Sequence, residues 1–205
     1  MKAVIILGNI SKINKSLLNN SYIIGADLGA YNAIKNGITL DVAIGDFDSI
    51  SNEMLEEIKI NSKKLIKLNP IKDETDTLGA IALCKDYDEI LILGGIKGRR
   101  IEHFYANILC LINDKRIKMM DDDSLIETHD KSFIPNQDYK YISFFSIVKN
   151  TTISLSGFKY QLNNYQLQPN DPLGISNEII MNPYVEIHNG RLIVIYSKDD
   201  HEKLL

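Results

Sequence analysis

The sequence predicts two fold classes in one chain: an α/β domain with a mainly parallel sheet, then a smaller all-β unit. Up to about Asp123, short apolar runs alternate with helix-patterned stretches. Beyond it the runs are short, β-branched or aromatic, and turn residues separate them. The length of 205 residues allows one domain or two small ones, at roughly 100–200 residues per domain.

The elements follow in order. Ala3–Leu7, Ser21–Gly25, Leu40–Ile44, Lys64–Leu68 and Glu89–Leu93 are apolar runs bounded by Gly or polar residues. Runs of this kind suit strands buried on both faces. Between them, Leu28–Asn36 ends at Gly37, a C′ glycine. Ser51 caps a helix over Asn52–Lys59, and Thr75–Lys85 puts Leu78, Ile81 and Ala82 on one face. Ile101–Asn113 is the most apolar helix. Alternating strands and helices favour a parallel sheet with right-handed crossovers. In the second part, Tyr141–Val148, Thr151–Leu155, Tyr184–His188 and Leu192–Tyr196 read as strands. Asn189-Gly190 between two such runs is a hairpin signal. The join falls near residues 121–132, giving domains over 1–125 and 126–205.

Composition narrows the class. Hydrophobic residues make up 44% and charged residues 24%, ordinary for a globular protein with a sizeable core. The net charge is -4 and no block of Lys and Arg stands out, so nucleic acid is not an expected partner. No run approaches the roughly 18 apolar residues of a membrane span. Cys84 and Cys110 lack CxxC spacing and read as reduced core cysteines, placing the chain in the cytoplasm.

Acids gather at strand ends. Gly45-Asp46-Phe47-Asp48-Ser49 follows a buried strand. Ligands of open α/β sheets bind beyond the carboxyl ends of strands. Residues two apart in extended chain face the same way, so Asp46 and Asp48 point together. Such a pair suits Mg²⁺, which takes one or two carboxylates plus substrate phosphates; it equally suits a turn that caps the next helix. Lys72-Asp73-Glu74-Thr75-Asp76 opens another helix. Asp73 and Asp76 share its first turn, where Lys72 can touch a phosphate and Asp76 can complete a metal shell. Gly94 to His103 is a glycine-rich link with two arginines, suited to anions though not a Walker motif. Asp27-Leu28-Gly29-Ala30 adds another strand-end acid. Four such strand ends together argue for a metal–phosphate site.

In this order the segments resemble the thiamine pyrophosphokinase family. The matching residues are Asp27 to Ala30, Gly45 to Ser49, Lys72 to Asp76, Arg100-Ile101-Glu102-His103, Asn107, Gly174 to Glu178, and Gly190 to Ile195. The resemblance implies an N-terminal α/β domain that binds nucleotide and magnesium, and a C-terminal β-sandwich that binds thiamine and pairs as a homodimer. It implies Mg²⁺-dependent transfer of diphosphate from ATP to the hydroxyl of thiamine, with AMP leaving. Asp46, Asp48 and Asp76 would hold the metal, with Asp73 a further catalytic acid. Asp27, Lys72, Thr75, Arg100, Glu102 and His103 would bind nucleotide and phosphate, and Ser176 and Asn177 would reach thiamine. Glu102 stands where the family usually has Asp. Some members stack a Trp on thiamine; this chain has none, leaving Tyr184 or Phe158 for that place. Other readings are a diphosphokinase acting on another heterocyclic alcohol such as a pterin, a non-catalytic nucleotide- or thiamine-binding protein, and a metal-dependent phosphohydrolase.

Overall fold

A computed structural model describes residues 1–8, 10, 12–69, 75–98 and 100–198. The chain divides into two compact units, Met1–Asp122 and Asp123–Leu205. Both are rich in strands, and the helices lie in the first.

The first unit carries β1 (Lys2–Ile6), β2 (Ser21–Ala26), β3 (Leu40–Gly45), β4 (Ser62–Lys67), β5 (Glu89–Leu93) and β6 (Ile117–Met120). Its strand order is β6-β5-β1-β2-β3-β4. Each pairing in that order is parallel. β1 lies in the middle, and Ala3 to Ile6 are fully buried, as a strand covered on both faces requires. β4 ends the order and carries Lys63, Lys64 and Lys67, charges that discourage further strands from adding.

The helices are α1 (Leu28–Lys35), α2 (Asn52–Ile60), α3 (Asp76–Ala82) and α4 (Ile101–Asn113). Ser51 Oγ accepts from the Met54 amide at 3.3 Å, and Thr75 Oγ1 from the Leu78 amide at 3.2 Å. Each hydroxyl satisfies an orphan donor of the first turn. α1 stops at Gly37, whose φ of +67° lets its amide reach Ile34 O at 2.8 Å. A side chain at Gly29 would collide with the Ile6 carbonyl, so glycine there lets α1 lie close against β1. Ala30, Ala33, Ile58 and Phe47 pack with Val4, Ile6 and Leu40 in one core.

The second unit carries β7 (Ser124–His129), β8 (Tyr141–Ser146), β9 (Thr151–Phe158), β10 (Leu162–Leu167), β11 (Asn177–Asn189) and β12 (Leu192–Ser197). Its ladders among the described residues are antiparallel, so antiparallel pairing is a large share of the strand pairing. β11 pairs with β8 through Asn177 and Glu178 and with β9 from Ile179 onward. β12 pairs with β7 and β8. The hairpin expected at Asn189-Gly190 is therefore not formed: the turn is tight, but its two strands take other partners. Gly190, at φ +94°, instead meets Thr151 so closely that a Cβ would strike it. The glycine answers a close approach between backbones, a need that reads like a hairpin turn in sequence. Two buried polar pairs lie in this unit: Tyr196 Oη donates to Glu127 Oε1 at 3.1 Å, and Ser146 Oγ lies 2.7 Å from Thr151 Oγ1.

Candidate active site

The carboxyl ends of β1, β2, β3 and β5 open on one cavity of about 860 Å³. Its size suits a nucleotide-sized ligand. Asp27, Asp46, Thr75, Asp76, Arg100 and His103 line it. Leu7 and Gly8 at the end of β1, together with Ser49, Lys97, Phe104 and Asn107, complete much of the wall.

Asp27 leaves β2 with φ +49° and ψ −123°. That backbone lies outside the regions open to side-chain-bearing residues and marks local strain. Its amide donates to Ile44 O at 2.8 Å, and its carbonyl accepts from the Ala30 amide at 3.0 Å. Ser49 Oγ donates to Oδ2 at 3.0 Å. The other oxygen, Oδ1, is buried and meets no donor among the described residues. Burial holds the carboxyl above its ordinary range; the Ser49 hydrogen bond opposes this, and the nearby charges of Asp76 and Asp46 add to it.

Asp46 follows β3, and its Oδ1 accepts from the Asp48 amide at 3.2 Å. Phe47 between them is buried with φ +59°. A bulky residue in that region marks local strain. The turn directs Asp46 to the cavity, while Asp48 is exposed and not among the lining residues. The alternation expected of extended chain therefore fails here, because the positive φ of Phe47 breaks it. Asp76 opens α3 beneath the Thr75 cap.

Beyond β5, Gly94 and Gly95 both have positive φ, +91° and +79°. Asn107 Nδ2 donates to Gly95 O at 3.1 Å and fixes the start of this link. Glu102 is exposed and outside the lining. Lys72 and Asp73 lie outside the described residues.

Ser176 and Asn177 belong to the second unit. Ser176 is exposed, with φ +52°. Asn177 is buried, and backbone groups engage its amide: Oδ1 accepts from the Tyr160 and Glu178 amides, each at 3.0 Å, and Nδ2 donates to Tyr160 O at 2.7 Å. Phe158 is buried at 2% exposure and packs edge-on to Phe144, which removes it as a stacking residue. Tyr184 is 43% exposed. Leu7 and Gly8, at the end of β1, line the cavity although no acid or arginine marks them in the sequence. Gly8 carried the same signal as the other strand ends, a glycine directly after a buried run.

A carboxylate set of this kind suits a hard cation. Asp27 Oδ1 lacks a donor, and like charges surround it. Yet among the described residues no three of His, Cys, Asp and Glu are grouped to hold an ion. The donor set therefore fits a cation shared with phosphate oxygens, not one enclosed by protein alone.

Comparison with known proteins shows the family. The thiamin pyrophosphokinase catalytic-domain model matches residues 13–120, and its vitamin B1 binding-domain model matches residues 131–194. Thiamine pyrophosphokinase of Bacillus subtilis strain 168 is 34% identical over 191 residues, 86% of this chain and 87% of that protein. The crystal structure of the Bacillus subtilis protein superposes with a TM-score of 0.83 at 30% identity, covering 97% of this chain and 100% of that one. A thiamin pyrophosphokinase family protein from Enterococcus faecalis gives 0.84 at 25% identity, covering 98% and 100%. The chain belongs to the thiamine pyrophosphokinase family, enzymes that use ATP and thiamine as substrates to make thiamine diphosphate.

Proposed function

We propose that the cavity of the first unit binds ATP together with Mg²⁺ and that the second unit supplies thiamine. The observation that carries this is the convergence of Asp27, Asp46 and Asp76, from three separate segments, on one cavity that also presents Arg100. Asp46 and Asp76 hold the metal, with Asp48 joining them when substrate is bound. When bound, Mg²⁺ neutralises charge on the phosphate oxygens. Asp73 is assigned as a further catalytic acid. Lys72 and Arg100 offset charge on the phosphates, and Thr75 and His103 border them, with Glu102 at the helix start. Transfer of this kind asks for positioning and charge neutralisation more than for a strong base.

On this reading residues 1–125 form the nucleotide-binding domain, and residues 126–205 form a β-sandwich for thiamine and dimerisation. Sharing of β11 between β8 and β9 supports the sandwich. So does the edge-on contact of Phe144 with Phe158. Exposed Ile180 and Met181 of β11, and Ile101, Tyr105 and Leu109 of α4, supply apolar surface for a homodimer. Ser176 offers an accessible hydroxyl to thiamine. Asn177 serves thiamine by shaping the Tyr160 backbone, since backbone groups already engage its amide. Free Cys84, its thiol pushed up to about 11 by burial, and free Cys110 suit the cytoplasm.

The test is AMP release from Mg-ATP with thiamine or with a pterin alcohol. Thiamine-dependent AMP that chelation abolishes is the expected result. AMP with the pterin alone would replace thiamine as acceptor, and phosphate released without any acceptor would point to a phosphohydrolase. Light scattering at micromolar protein should give the mass of a dimer; a monomer overturns that part.

A further inference from the structure

We propose that Asn107 is the residue through which this pocket reads the nucleoside half of ATP, its side-chain carbonyl accepting from an N–H or O–H on the base or ribose. The proposal rests on the reading that this cavity takes ATP.

Asn107 lies on α4, three and four residues beyond Phe104 and His103, and all three line the cavity. Residues at that spacing share a helix face. Asn107 is only 5% exposed. A carbonyl can only accept, so the 3.1 Å contact to Gly95 O settles which end of the amide faces it. A Cβ at Gly95 would sit 2.7 Å from Nδ2, so the amide packs tightly there and has little room to swing. The nitrogen is thus held, and Oδ1 is the acceptor left over. No described residue donates to it. Leu7, Ile96 and Phe104 supply apolar wall in the same cavity, suited to a flat ring. The acids and Arg100 suit the phosphates. Asn107 is therefore placed to select by hydrogen bonding in a wall that otherwise selects by shape. Sites built to accept a substrate hydrogen discriminate strongly against analogues lacking it.

The experiment compares kcat/KM of the full chain, with thiamine saturating, for ATP, purine riboside triphosphate, and 2′- and 3′-deoxy-ATP. The wild type should use one of these analogues roughly tenfold less well than ATP, and which one identifies the donor. Asn107→Leu should lose roughly the same factor on ATP and little on that analogue. Equal use of every analogue by the wild type overturns the proposal without any variant having to fold. So does an Asn107→Leu enzyme that loses ATP and analogues alike, or whose only change is in the KM for thiamine. Asp76→Asn separates the two levels. If it leaves ATP kinetics untouched while thiamine-dependent AMP persists, ATP lies elsewhere. If it responds and the nucleotide selectivity does not, only Asn107 is misassigned.

Discussion

The strand ends of the first unit and the start of β11 in the second treat polar groups in opposite ways. At Asp27 one carboxyl oxygen accepts from Ser49 while the other is buried without a donor, and at Asn107 only the amide nitrogen is engaged, by Gly95 O. Around Asn177, backbone groups occupy both ends of the amide. Backbone at positive φ occurs in both places, at Asp27 and Phe47 in one and at Ser176 in the other. Strain alone therefore does not mark the site. Open hydrogen-bonding capacity beside strained backbone does, because such an arrangement lowers stability until a ligand fills it.

That contrast can be broken by mutation, and the largest effect is expected at the acids. Asp46→Asn and Asp76→Asn should lower kcat by about 100-fold or more while circular dichroism stays unchanged. Asp48→Asn should do the same, although Asp48 is exposed; full activity in that variant would remove Asp48 from the metal set. Next comes Asn177→Ala. It strips partners from two amides and a carbonyl, and should cost about 2–3 kcal/mol of stability. Denaturant titration measures this, and the KM for thiamine should rise while that for ATP holds. An unchanged midpoint would mean that Asn177 is not the clamp its hydrogen bonds describe.

The smallest effect is expected at Asp27. Burial raises its pKa, so the folded chain binds this proton more tightly than the unfolded chain does. The resulting stability is full below the ordinary carboxylate range and is lost as pH rises through the raised value. Asp27→Asn should therefore raise Tm slightly at pH 7, and the gain should fade as pH falls below the ordinary carboxylate range. It should also lower activity. A variant less stable at pH 7 would show that the Ser49 hydrogen bond outweighs the burial cost.

Much of this was legible in the sequence because it depended on local signals. Buried runs located β1, β2, β3 and β5, and Ser51 and Gly37 marked helix ends. Asp27, Asp46 and Asp76 were found because each directly follows a strand or opens a helix. Pairing partners were not legible. Asn189-Gly190 has hairpin composition, yet which strands flank β11 and β12 is decided by distant residues. Nor was side-chain direction at Asp48, since one residue at positive φ undoes the alternation on which it relied. Asn177 lies in a segment whose family resemblance implies thiamine contact, but only the fold reveals that the Tyr160 and Glu178 backbone occupies its amide.

β11 has a consequence for how the second unit comes apart. One strand serves two neighbours, β8 at its first two residues and β9 along the rest. The two ladders meet end to end on one strand, so amide exchange across β8, β9 and β11 should report one shared opening event. A ligand seated near Ser176, at the point where β11 begins, would then slow exchange far along the strand as well as beside itself.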